Sequence, residues 1–495
     1  MSSDSIDPAV PPAGMSARSG RWRWVALVVL AAAVALDAMG VAIVNTALPA
    51  IGREMGMNTA TLPLVMTVYA ATFAGFLLLG GRAGDVLGHR RVFLVGMAVY
   101  ALAVLTATLA SAASVLLVAR AVQGLGAAIS GPPALALLAA VFTEPRERAR
   151  AMGVYAAVAA SSFAGGLVLG GVLTSFWGWR SAFGVLVPVA VAVVVVGSRL
   201  LPGQRAARER SLDLPGAGLI TAGLVFAVYG VSQAEHAGFG SPFVLALVII
   251  GVGLMVGFGL REHYAQVPLL PLKLFRARPV RAATVAGLVF YTAVNGLLFF
   301  APLYMQGILG YSALQSGLAI LPMGLTVIVA SQVAGRLMPK VGLRSLMTAG
   351  LMLVALGVGT WTLIGPDTDY FFGLLPGILI VSVGQGLAFT AMTAASLAAV
   401  EPKHHGVAGG LNITCQQVGA GLGVAIIATI AAAVQGTSML TPDVLAGYHA
   451  ATAAAAGVGF LGALAVFFLL RHGLGHNDKS STPQDSKTEG ARRSH

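Results

Sequence analysis

Fourteen apolar runs of about twenty residues, each closed by charge, Pro or Gly, recur between residues 24 and 470, and a run of that length crosses about 30 Å of hydrocarbon as a helix. They lie at 24–48, 61–81, 92–110, 115–140, 151–174, 181–200, 214–234, 242–260, 282–303, 314–336, 345–364, 371–398, 407–434 and 448–470. In lipid every backbone N–H and C=O must be satisfied internally, which leaves helices as the spanning form for runs this long. The pattern predicts an all-α polytopic membrane protein. Composition agrees: 57% hydrophobic, 10% charged and a mean hydropathy of +0.85 exceed what a water-soluble domain of this size carries. No small-residue cleavage site follows the first run before the loop at 52–58, so it predicts a retained anchor and not a cleaved signal peptide.

Charge tests the topology independently, because Lys and Arg are retained on the cytoplasmic side. With both termini inside, all but three of the 30 Lys and Arg fall in cytoplasmic segments. Arg53 and Arg180 fall outside, and Arg120 falls within a run. This predicts a multi-pass protein of the inner or plasma membrane with cytoplasmic termini. The net charge of +12 is dealt out singly between apolar runs, which excludes the basic face that a nucleic-acid partner needs. The single cysteine, Cys415, and nine His placed in loops, tails or helix ends form no metal-ligand spacing, and no cofactor is expected. The loops predicted outside hold only scattered groups, among them Glu54, Glu235, His236, Asp367, Asp369 and Asp443, too dispersed for the clustered acids and bases of an enzyme. No ring of like charge points to a channel.

A long repeat organises the chain. Gly81, Arg82, Gly88 and Arg90 recur at the same spacing as Gly335, Arg336, Gly342 and Arg344. Gln123-Gly124-Leu125 recurs as Gln385-Gly386-Leu387, and Glu144-Pro145-Arg146 as Glu401-Pro402-Lys403. Internal repeats of this kind build transporters. The expected division is a disordered tail over 1–20, a six-helix bundle over 21–200, two inserted helices over 201–262, a second six-helix bundle over 263–471 and a disordered tail over 472–495. The tails are rich in Ser, Pro and charge, a composition that does not bury a core.

The residues at four places resemble the fourteen-helix drug:proton antiporters of the major facilitator superfamily. LDAMGVAIVNTALP (36–49) is similar to that family's LDxTIVNVALP signature, GRAGDVLGHRR (81–91) to the superfamily loop GxLaDrxGrr, RAVQGLGAA (120–128) to RxxQGxGaa, and NITCQQVGAGLGVA (412–425) to a further pattern of the group. The fifth run departs from the antiporter motif GPxxGG by reading GLVLGG, with Leu167 in the proline's place, and Ala83 and Val86 replace the loop's usual Leu and Arg. Its glycines Gly165, Gly166, Gly170 and Gly171 still permit close helix contact. The resemblance implies a major facilitator fold and a proton-coupled antiporter that exports lipophilic drugs by alternating access. Its partners are then a small lipophilic substrate, protons and the bilayer, and a monomer suffices. Export of an endogenous metabolite or lipid is the alternative.

Two charges lie deep in the predicted membrane, Asp37 and Arg120, and such residues are costly enough to mark function. The repeat places Ser382 opposite Arg120 and Asn295 opposite Asp37, so the fold tolerates uncharged residues there. Asp37 is expected to carry the proton and an adjacent Arg120 to set its cycle. With one deep acid, the site should favour neutral, zwitterionic or monovalent lipophiles over dications. Gly81, Asp85, Gly88, Arg90 and Arg91 are expected to form a conformational latch, Asp85 accepting hydrogen bonds from a helix N-terminus or a neighbouring Arg. Asn45, Tyr69, Gln123, Tyr291, Asn295, Gln385, Asn412 and Gln416 are candidates to line a weakly polar cavity, the last two sharing a helix face.

Overall fold

The computed structural model describes residues 20–58, 61–203, 213–238, 240–265, 272–397, 405–436 and 440–470. The expected tails, and the second copy of the Glu-Pro-basic segment at 401–403, lie outside the described residues. The described chain is helical and contains no strand. Its helices are α1 (Gly20–Met55), α2 (Leu64–Leu87), α3 (His89–Thr108), α4 (Ala113–Val141), α5 (Pro145–Trp177), α6 (Trp179–Gly184), α7 (Leu186–Leu200), α8 (Leu214–Ala237), α9 (Pro242–Tyr264), α10 (Arg278–Gly307), α11 (Ala313–Gly359), α12 (Leu375–Leu397), α13 (His405–Gln435) and α14 (Thr441–Leu469). By length and composition, 11 are able to span a membrane, or 12 when the bent α2 counts as one span. The stretch Ala313–Leu363 contains Gly342 at φ 80°, ψ 158°, where two helices meet, and Gly218–Val231 is a shorter apolar helix. A fourteen-span reading is consistent with this architecture.

Local chemistry sets the helix starts. Pro242, Pro279 and Pro442 occupy first-turn positions of α9, α10 and α14, where a missing N–H costs nothing. Ser312 and Gln315 close a capping box at the start of α11: the Gln315 N–H donates to Ser312 Oγ at 3.1 Å, and the Ser312 N–H donates to Gln315 Oε1 at 2.8 Å.

The repeat is visible in the backbone. Positive-φ glycines end corresponding helices in pairs, Gly56 with Gly310, Gly88 with Gly342 and Gly178 with Gly436, while Gly238 belongs to the α8–α9 turn and has no twin. Helix contacts repeat as well. A Cβ on Gly96 would lie 2.9 Å from the Gly126 carbonyl oxygen of α4, and one on Gly350 would lie 2.8 Å from that of Gly384 of α12. With no hydrophobic drive between helices in lipid, such small residues let dispersion contacts hold the bundle.

The two halves, α1–α7 and α10–α14, meet most closely in the part of the bundle towards the end where α1 finishes and α2 begins, hereafter the distal end. Gln306 Nε2 donates to the Thr46 carbonyl at 3.1 Å, and the Leu314 N–H donates to Ser175 Oγ at 3.0 Å. A Cβ on Gly171 would sit 2.7 Å from the Ala313 oxygen, and one on Gly317 2.5 Å from the Leu167 oxygen. Leu167, in the position expected for proline, is fully buried and offers its carbonyl to this close crossing.

Candidate functional site

The first half converges on Asp37. Its carboxylate accepts a hydrogen bond from the Tyr69 hydroxyl of α2. One residue earlier, the Leu36 carbonyl accepts from the Tyr100 hydroxyl of α3 at 2.7 Å, which fixes α1 at this level. Arg120, 1% exposed, spends its donors locally: Nε donates to the Val65 carbonyl at 2.9 Å, and Nη1 to Gln123 Oε1 at 2.7 Å. Its guanidinium lies 4.4 Å above the Tyr69 ring centroid, a cation–π contact strengthened by burial.

The expectation of an Arg120 directly beside Asp37 is modified here. No ion pair joins the two among the described residues, and Tyr69 stands between them, hydroxyl on the acid and ring under the cation. The physical reason is reach: Arg120 on α4 satisfies its fork on α2 and on its own helix, and the phenol of Tyr69 fills the remaining gap to α1.

Two small cavities adjoin this cluster, one at Asp37 and one at Tyr69 and Arg120. One, of about 40 Å³, is lined by Asp37, Phe73, Met97, Tyr100, Ser130 and Tyr155, which is roomy and polar enough to admit water. The other, of about 30 Å³, lies between the halves and is lined by Met66, Tyr69 and Arg120 on one side and Asn295, Gln417 and Val424 on the other. Of the polar residues expected to line a cavity, Tyr69 and Asn295 do so at this seam. Asn45 is fully buried and donates to Val41 at 3.3 Å. Asn412 and Gln416 face Gly287 of α10, inside the second half. Gln123, Tyr291 and Gln385 are not part of the seam cavity's lining. Gln417 takes the place expected for Gln416, one residue and so about 100° around the helix. Tyr100 and Tyr155 carried one signal in the sequence, a hydroxyl within an apolar run.

At the opposite end the predicted latch forms the α2–α3 turn. Gly88 adopts φ 93°, Asp85 lies 3.5 Å from His89 Nε2, and Arg90 donates to the Ser198 carbonyl of α7. Arg91 is exposed, and a Cβ on Gly81 would lie 3.5 Å from Pro132 of α4. In α5, Gly166 and Gly170 receive Met39, Ala42 and Ile43 of α1, Gly171 receives α11, and Gly165 faces open space.

A helical bundle in two repeated halves, with a half-buried acid linked through one tyrosine to a buried guanidinium at the seam between them, is the architecture of a membrane transport protein. The model of the Major Facilitator Superfamily matches residues 30–424, and the chain belongs to that family of transporters; it is not an enzyme. It is 40% identical over 463 residues to the puromycin resistance protein pur8 of Streptomyces alboniger, covering 90% of this chain and 91% of that one. It is 38% identical over 449 residues to the cephamycin export protein CmcT of Amycolatopsis lactamdurans, covering 90% of each. Among solved structures, an auto-inhibited peptide transporter of the POT family superposes with a TM-score of 0.68 at 16% identity, over 90% of this chain and 97% of that one.

Proposed function

We propose that the chain is a proton-coupled exporter of small lipophilic compounds of antibiotic type, working by alternating access in the plasma membrane with both termini in the cytoplasm. The observation that carries this reading is the Asp37–Tyr69–Arg120 cluster, in which one tyrosine touches the acid, the cation and the seam between the halves. Desolvation favours the neutral carboxyl and a nearby guanidinium favours the carboxylate. A movement of Tyr69 with the seam therefore changes which form of Asp37 is held, and couples a proton to what occupies the seam. The substrate class comes from the relatives, whose names include puromycin resistance and cephamycin export. Segments 21–200 and 263–471 act as the rocking units and 201–262 as the insertion. Asn45, Gln123, Tyr291, Gln385, Asn412 and Gln416 belong to the walls that a larger, proximally open cavity exposes.

Driving force is adequate. Exchange of one proton for one neutral molecule moves one charge, about 2.3 kcal/mol per 100 mV, or about a fiftyfold gradient. The test is addition of puromycin, a cephamycin and a panel of lipophilic antibiotics to energised inverted vesicles, beside resistance in an efflux-deficient host. Proton release on addition, matched by resistance, is expected for at least one compound. Resistance without proton movement would remove the coupling, and no response from either readout would remove the exporter. A second reading, export of a product made by the cell itself, is favoured by relatives described as a cephamycin export protein and a probable actinorhodin transporter.

The α2–α3 turn is assigned to cycling and not to binding. Asp85→Asn is expected to slow transport severalfold while equilibrium binding of a substrate changes little, because Asp85 and its partner His89 lie at the opposite helix end from the distal contacts. Equal losses of binding and rate at normal protein level would count against a latch.

A further inference from the structure

A third cavity lies outside the site described above. It opens at the distal end, has a volume of about 330 Å³ and is walled by both halves. Arg53 and Leu62 come from the α1–α2 side, and Phe299, Phe300 and Tyr448 from α10 and α14. The rings of Phe300 and Tyr448 lie 5.1 Å apart, centroid to centroid, and Gln435 of α13 adds an amide. This volume is in the range of pockets that hold drug-sized ligands, which are mostly apolar with a few placed polar groups.

The electrostatics of the cavity are one-sided. Arg53 is the one ionised side chain among its described lining residues. No ion pair engages Arg53 among the described residues. Its neighbour in sequence, Glu54, is committed elsewhere, accepting from Trp179 at 2.8 Å and pairing with Arg180. An exposed guanidinium at the rim of an aromatic-walled cavity matches a ligand with an apolar body and one negative charge.

We infer that this distal cavity is a binding site for lipophilic monoanions, separate from the proton and substrate site at Asp37. Because its walls belong to both halves, the site exists while the distal end is closed, and a ligand there binds that state over one in which the ends have parted. Neither Asp37, Tyr69 nor Arg120 lines it.

The experiment compares two probes that differ by one charge, 1-anilinonaphthalene-8-sulfonate and its uncharged parent N-phenyl-1-naphthylamine. Fluorescence titration uses the full chain in nanodiscs, with empty nanodiscs as background and no proton gradient. The sulfonate is expected to bind saturably at one site per chain. Arg53→Gln should weaken the sulfonate by about tenfold, the scale of one lost charge-assisted hydrogen bond, and leave the parent compound within about twofold, the scale of an exposed change that removes no such bond. Phe300→Ala should weaken both probes. Equal affinities of Arg53→Gln and the unaltered chain for the sulfonate, or equal weakening of both probes by Arg53→Gln, would overturn the inference. Since the readout is binding at equilibrium, its failure leaves the proposed proton coupling untouched, and loss of coupling leaves this site standing.

Discussion

Substrate-induced proton release is expected to vanish in the Asp37→Asn protein while the protein still folds and reaches the membrane at normal level. The amide oxygen of Asn keeps an acceptor for the Tyr69 hydroxyl, so the geometry around α1 and α2 survives, but an amide neither loads nor releases a proton. The second half supports the substitution: Asn295, the repeat's counterpart, sits in α10 with its Nδ2 donating to the Tyr291 carbonyl at 3.0 Å. Arg120→Ala should impair export by a different route. It removes the donor to Gln123 Oε1 and the second hydrogen bond of the Val65 carbonyl, which keeps its own helical one, and a buried group left unsatisfied costs about 1–3 kcal/mol. Arg120→Lys keeps the charge and loses the planar fork, so it should retain part of the activity. The measurement is proton release from energised inverted vesicles, run beside resistance and expression. Persisting release in Asp37→Asn means that another group carries the proton.

The second large effect is expected at Gly171. A side chain there meets the Ala313 oxygen at 2.7 Å and Leu314 Cα at 2.9 Å, both on the opposing half. Gly170, one position earlier, meets Thr46 and Ile43 of α1 within its own half. Gly170→Leu should therefore lower the yield of folded protein, whereas Gly171→Leu should leave each half intact and obstruct closure of the distal end. Overpacking of this kind costs about 1–3 kcal/mol, which shifts the ratio of closed to open states by about 5- to 150-fold. Thr46 reports the shift: it is fully buried, and its Cγ2 lies 3.5 Å from where a Cβ on Gly317 would stand. With Cys415→Ser as background, labelling of Thr46→Cys by a membrane-impermeant maleimide should rise by a similar factor in Gly171→Leu, and transport should fall. Lost transport with unchanged labelling would separate Gly171 from closure.

The contrast between these two glycines shows what the amino-acid pattern discloses. Apolar length, the charge asymmetry and the repeat suffice for a helical membrane bundle in two halves, because each depends on solvent and not on partners. Gly165, Gly166, Gly170 and Gly171 are equally legible as packing residues, yet which of them faces α1, which faces α11 and which faces nothing depends on helix rotation. The same limit separates Gln416 from Gln417. Asp37 and Arg120 stand out in the sequence because burying charge is costly, but the tyrosine between them belongs to a third helix, and no spacing along one helix encodes a contact across three. Gly342, at φ 80° and ψ 158°, breaks the helix between two apolar runs as Gly88 does between α2 and α3, a boundary that composition does disclose.

The inserted pair α8–α9 gives the molecule unequal flanks. Thr221 of α8 sits against Gly75 of α2, where an added Cβ would come within 2.6 Å of it, and Thr429 of α13 donates to the Val231 carbonyl of α8 at 3.1 Å. One helix thus bridges both halves along the α2–α13 edge, while Ile249, Val252 and Val256 of α9 turn outward to lipid. Among the described residues the α5–α11 edge carries no such strut. The two flanks of the seam are therefore built differently: one is spanned by a helix outside both halves, and the other is closed by direct α5–α11 contact at Gly171 and Gly317. In the proposed rocking motion, a helix tied to both α2 and α13 acts as an axle, and the two edges of the cleft are then expected to open by different amounts.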